Sequence, residues 1–86
     1  MPDYDVRFAR SARKELERLD DAVVNRIFPR IESLAKTPRP VGCRKLRSAQ
    51  DLWRIRIGDY RVVYLVDDAA RVVEIRAVGD RKDVYE

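Results

Sequence analysis

Polar and apolar residues alternate at the start of the chain. Tyr4, Val6 and Phe8 are separated by Asp5 and Arg7, the two-residue period of a strand. The period then lengthens. Ala12, Leu16 and Leu19 recur at helical spacing among Arg13, Lys14, Glu15, Glu17 and Arg18, which predicts an amphipathic helix with one narrow apolar stripe. Asp20 or Asp21 suits the N-cap of a second helix, whose stripe is Val23 or Val24, Ile27, Ile31 and Leu34. Pro29 lies inside that pattern, removes a backbone donor and predicts a kink. The helix should end near Lys36, because Thr37-Pro38-Arg39-Pro40 cannot continue it.

Residues 37–51 read as a long loop, and loops of this length are often functional. This one holds Arg39, Arg44, Lys45 and Arg47 against a single acid, Asp51. Strand-like runs follow at Leu52 to Ile57, Tyr60 to Val66 and Arg71 to Val78. Gly58-Asp59 between the first two is a two-residue turn with glycine first, the signature of a type II′ hairpin. A second turn falls at Asp67-Asp68-Ala69-Ala70. The order is β-α-α-β-β-β with a short tail from Gly79 to Glu86. It predicts an α+β fold, with a largely antiparallel sheet and two helices packed on one face. The 86 residues are enough for one domain, spanning 1–86, and too few for two.

The Gly58-Asp59 turn sets a register. Ile57 falls opposite Tyr60, Ile55 opposite Val62 and Trp53 opposite Tyr64, all on one apolar side that should pack on the helices. Arg54 and Arg56 lie on the other side, with Arg56 opposite Arg61. A symmetric turn around Asp68-Ala69 would place Arg76 opposite Arg61 as well, giving a row of Arg56, Arg61 and Arg76 across three strands. Like charges directly opposite one another destabilise a sheet, by up to ~1 kcal/mol a contact. A sequence that keeps such a row points to an anion held there. The bland alternative is that the stems splay to water and pair with Glu74 and nearby acids.

Charge alone favours a bland reading, a GC-rich genome writing Arg for Lys on solvated faces, so position must decide. The formal net charge is +4, and 15 of the 19 basic residues are Arg, whose planar fork suits phosphate. With no His and one Cys, Cys43, no disulfide forms within the chain and no His/Cys zinc site or Cys–His nucleophile is possible. Cys43 reads as a plain structural residue. No apolar run approaches membrane length, so the expected compartment is the cytoplasm and no membrane partner is implied. Beyond the last strand, Arg81, Lys82 and Tyr85 would return toward the arginine face. Tyr85 there stacks on a base or moves a proton, or else packs plainly on the surface.

These residues resemble a known group of proteins. WRIRIGDYRVVYLV at 53–66 and VGDRKDVY at 78–85, with LAKTPRPVGCRKLRS before them, are similar to motifs of the RelE/ParE superfamily of toxins, on its RelE-like branch. The resemblance covers nearly the whole chain. It implies the toxin of a type II toxin–antitoxin system. Such a toxin is an mRNA interferase, an endoribonuclease acting in the ribosomal A site with no metal and no cofactor. The RNA 2′-hydroxyl attacks the adjacent phosphate, and mRNA cleavage inhibits translation. Arg54, Arg56, Arg61, Arg81 and Tyr85 occupy the family's catalytic positions. Arg44, Lys45, Arg47, Arg76 and Lys82 are the further RNA-binding candidates. The implied partners are a cognate antitoxin, mRNA on the ribosome and operator DNA through the antitoxin complex.

Two departures bear on the chemistry. Relatives often carry Lys at the strand positions of Arg54 and Arg56, and His where this chain has Asp80. Arginine stays protonated and cannot take the 2′-hydroxyl proton. Tyr85 as a phenolate beside guanidiniums, or Asp80, remains as the base. Two alternatives therefore stand beside the interferase: a ParE-like inhibitor of DNA gyrase, and a catalytically weak relative acting as an antitoxin- and operator-binding partner.

Overall fold

The computed structural model describes residues 3–46 and 51–80. The first alternating run forms β1 (Asp5–Phe8), and the helical runs form α1 (Arg10–Glu17) and α2 (Asp21–Ser33). Asp20 is the N-cap of α2 with extended backbone, but its side chain makes no capping hydrogen bond; its carbonyl accepts from the Val23 and Val24 amides. Asp21 stands in the first turn, where a carboxylate favours the positive end of the helix. The helix continues through Pro29, which removes the bond its amide would give the Asn25 carbonyl; both residues are exposed. Turn-like bonds from Lys36 and Thr37 to the Ser33 carbonyl carry the chain to the expected stop.

The expected long loop is not wholly loop. Arg44–Lys45 form a short β2 that pairs with β3 (Leu52–Ile57), a ladder too brief to leave a periodic signal in the sequence. β4 (Tyr60–Asp67) and β5 (Val72–Asp80) complete a sheet of order β1-β5-β4-β3-β2. Only β1 against β5 is parallel; the other pairs are antiparallel.

The hairpin register falls where the turn chemistry requires. Ile57 pairs with Tyr60, Arg56 with Arg61, Ile55 with Val62 and Trp53 with Tyr64. Gly58 has φ +59°, and Asp59 shows no positive φ, as a type II′ turn demands. Helix α1 lies along β5 and α2 over β3. Between helices and sheet sit Ala12, Ile27, Ile31, Leu34, Ile55, Val62, Tyr64, Val73 and Ile75, each at most 2% exposed. At roughly 25 cal/mol per Å² of apolar surface removed from water, this layer is the main source of stability.

Candidate functional site

The face turned away from the helices begins with a small apolar patch that the alternation did not announce. Leu46 and Val63 are buried there, with Leu52 and Ala77 against them. Beside the patch, Arg54 pairs across the sheet with Val63 and is only 5% exposed. Its guanidinium pKa is lowered, first by burial and then by the charges of Arg56 and Arg44. Two residues on, Arg56 is exposed.

The ladder brings these arginines into two facing pairs. Arg44 of β2 stands opposite Arg54, and Arg56 stands opposite Arg61. Residues directly opposite in antiparallel strands share a face, so Arg44, Arg54, Arg56 and Arg61 form one cationic surface over β2, β3 and β4. Like charges directly opposite one another disfavour a sheet unless something compensates them.

The expected row through Arg76 does not form. The β4–β5 connection places Asp67 opposite Val72, and the register then shifts between Val63 and Tyr64, so that Val63 pairs with Ala77 and Tyr64 with Ile75. Arg76 is the extra residue of that bulge. Gly79, which has no side chain, stands opposite Arg61 instead. Arg76 turns to its own strand, its Nε donating to Glu74 Oε1 at 2.7 Å. The row therefore grows toward the β2 edge rather than toward β5.

Two further candidates lie on the helix side. Lys45 pairs with Trp53, and its ammonium sits 6.0 Å from the centre of the Trp53 ring. Asp80 pairs with Tyr60 and lines a cavity of about 410 Å³ with Glu15, Arg18, Leu19, Val78 and Gly79. The Glu15 carboxylate in that cavity accepts the Val78 amide at 3.0 Å. Asp80 is thus separated by the sheet from the four arginines, which removes it from the position a base would need. Arg47, Arg81, Lys82 and Tyr85 lie outside the described residues. Cys43 is a partly buried free thiol packed against the main core.

A sheet that buries one face under two helices and carries Arg44, Arg54, Arg56 and Arg61 on the other defines a small α+β domain with a cationic face. Comparison with known proteins places it. A family model described as the ParE toxin of the type II toxin–antitoxin system parDE matches residues 6–85, and the chain belongs to this family. Among its relatives, toxin RelG of Mycobacterium tuberculosis is 31% identical over 83 residues, covering 95% of each chain. The toxin in the RelBE toxin–antitoxin complex of Escherichia coli superposes with a TM-score of 0.80 at 30% identity, over 90% of this chain and 95% of that one. RelE in the archaeal RelE–RelB complex of Pyrococcus horikoshii gives the same TM-score and identity, over 94% and 98%. Fold and family thus agree with the RelE/ParE resemblance of the motifs at 53–66 and 78–85.

Proposed function

We propose that this toxin is a ribosome-dependent, metal-independent mRNA endonuclease. The observation that carries the reading is the pair of facing arginine couples, Arg44–Arg54 and Arg56–Arg61, on the sheet face free of helices. In the reaction the RNA 2′-hydroxyl loses its proton and attacks the adjacent phosphorus. The bond to the 5′-oxygen of the next nucleotide breaks, and that oxygen takes up a proton. Arg56 and Arg61, joined by Arg81, stabilise the extra negative charge on phosphate. Arg54 supplies a fixed positive charge beneath them. Arg44, Arg47 and Lys82 hold the RNA backbone to either side.

The proton acceptor is the demanding role. Arginine does not serve, and Asp80 stands on the other side of the sheet. Tyr85, the remaining candidate from the resemblance, therefore takes it as a phenolate. The ribosome adds orientation of the RNA for in-line attack. A ribosomal target places the protein in the cytoplasm. Its partner is a cognate antitoxin, as for the RelE chains crystallised with RelB. The segment covering the arginine face should be acidic, and the complex carries the toxin to operator DNA.

One observation favours a second reading. The matching family model bears the name of ParE rather than RelE, which keeps inhibition of DNA gyrase as the competing activity.

Primer extension on a defined mRNA in translating ribosomes decides between them. New 5′ ends within A-site codons are expected with the wild-type protein and absent with Arg61→Ala. Growth arrest without new ends, together with inhibited supercoiling by purified gyrase, would establish the second reading. Neither ends nor arrest would leave an antitoxin-binding partner without catalysis. Tyr85→Phe should slow cleavage far more than it weakens RNA binding; equal losses would assign Tyr85 to stacking.

A further inference from the structure

Away from the arginine face, one polar cluster joins distant parts of the chain. Asp68, in the turn between β4 and β5, accepts two hydrogen bonds from the Arg39 guanidinium, Nη1 to Oδ1 at 3.2 Å and Nη2 to Oδ2 at 2.8 Å. The Tyr4 hydroxyl, just before β1, donates to the same Oδ1 at 2.5 Å. Arg71 lies over the Tyr4 ring at 4.3 Å, and Arg39 lies over the Trp53 ring of β3 at 5.1 Å. The Asp68 carboxyl is accordingly held down to about 2, chiefly by the Arg39 hydrogen bonds and then by Tyr4.

Arg39 sits in the segment that delivers the chain to β2. On one side the Tyr64 hydroxyl donates to the Pro38 carbonyl at 2.7 Å. On the other the Cys43 amide donates to the Pro40 carbonyl at 3.0 Å, closing the turn from which β2 departs at Arg44. β2 is only two residues long, and so short a strand does not hold itself in place by its own ladder. Its position beside β3 depends on anchors outside the strand.

We propose that Asp68 is a positioning residue. Through Arg39 it holds the turn at 38–43 against Trp53, so that β2 presents Arg44 beside Arg54. Asp68 itself makes no contact with RNA. The consequence for RNA rests on the role proposed above for the arginine face.

Asp68→Asn removes one negative charge from a chain whose net charge is already +4. Long-range electrostatics alone would then tighten RNA binding. Loss of Arg44 from its place weakens it. The test uses the full-length protein and a labelled single-stranded RNA oligonucleotide at fixed salt, with amide hydrogen exchange at Leu46 as a second readout. The Leu46 amide donates to the Leu52 carbonyl at 2.9 Å and so reports on the β2 pairing directly. Asp68→Asn should weaken RNA binding and speed Leu46 exchange, each by roughly two- to fivefold, the range of exposed ion pairs. Arg39→Gln should speed the exchange equally, the double variant no further, and Asp68→Glu should recover much of the loss. Tighter RNA binding with unchanged exchange in Asp68→Asn would overturn the proposal, as would additive effects on exchange in the double variant. If the wild-type protein binds no RNA, the reading of the arginine face fails, and the exchange experiment still decides the role of Asp68.

Discussion

On β3, Ile55 is 2% exposed beneath the helices, and Arg54, one residue earlier, is 5% exposed on the opposite side. The two burials have different origins. Ile55 belongs to a core layer that includes Ile27, Ile31 and Leu34 from α2 and its end. Arg54 stands opposite Val63 of the small outer patch, and burial lowers the pKa of its guanidinium. One face of the sheet is arranged for folding. The other brings like charges together, Arg44 opposite Arg54 and Arg56 opposite Arg61. Natural proteins break local rules at functional sites in this way.

Substitutions on the two faces should therefore separate stability from activity. The largest loss of stability is expected from the helix side. Ile75→Ala should cost about 2–5 kcal/mol in urea unfolding, since Ile75 is fully buried. On the outer face, Val63→Ala removes less apolar contact and should cost about 1.5 kcal/mol. A comparable loss, about 1–2 kcal/mol, is expected for Gly58→Ala, because a φ of +59° strains a residue with a Cβ. The Arg26 Nη2 atom, 2.7 Å from such a Cβ, can swing away. Arg56→Ala should move stability by less than about 0.5 kcal/mol, yet lower the slope of log affinity for single-stranded RNA against log salt by about 0.7. An Arg56→Ala variant as unstable as Ile75→Ala would erase the distinction between the faces.

The smallest effect expected is a pH dependence. The Asp68 carboxyl titrates at about 2 in the folded chain, below the ordinary 3.8. The unfolded chain therefore binds its proton first as pH falls. The Asp68 contribution is complete above about pH 4 and is lost between about 4 and 2. The difference in urea midpoint between the wild type and Asp68→Asn should narrow over that window. Because the pair is exposed, salt should also reduce it.

How far the sequence could be read depended on how the strands are joined. The Gly58-Asp59 turn admits one register, and the β3–β4 pairs, including Arg56 with Arg61, followed from it residue by residue. The β4–β5 connection has no comparable constraint. A longer loop and a bulge moved Arg76 away from Arg61, and alternation cannot announce a bulge because the extra residue breaks the period it relies on. Arg44 was visible as a loop cation but not as the partner of Arg54, since a two-residue strand has no pattern. The Arg39–Asp68 bonds depend on side chains 29 positions apart, and nothing local in the sequence marks them. The family motifs were legible because they lie in the hairpin and tail.

The parallel pairing of β1 with β5 also governs when the toxin comes into being. Asp5 finds its partner only in Val72, and Phe8 in Ile75, so the first strand made waits for the last. Contacts so distant in sequence close slowly, because the intervening chain must be ordered before they repay its entropy. With synthesis at about 5–20 residues per second, β1 stays unpaired for seconds on the ribosome that makes it. The cationic face is assembled from β2, β3 and β4, but the sheet that supports it closes only when β5 arrives. The five-stranded sheet of the toxin is thus complete only once β5 has been made.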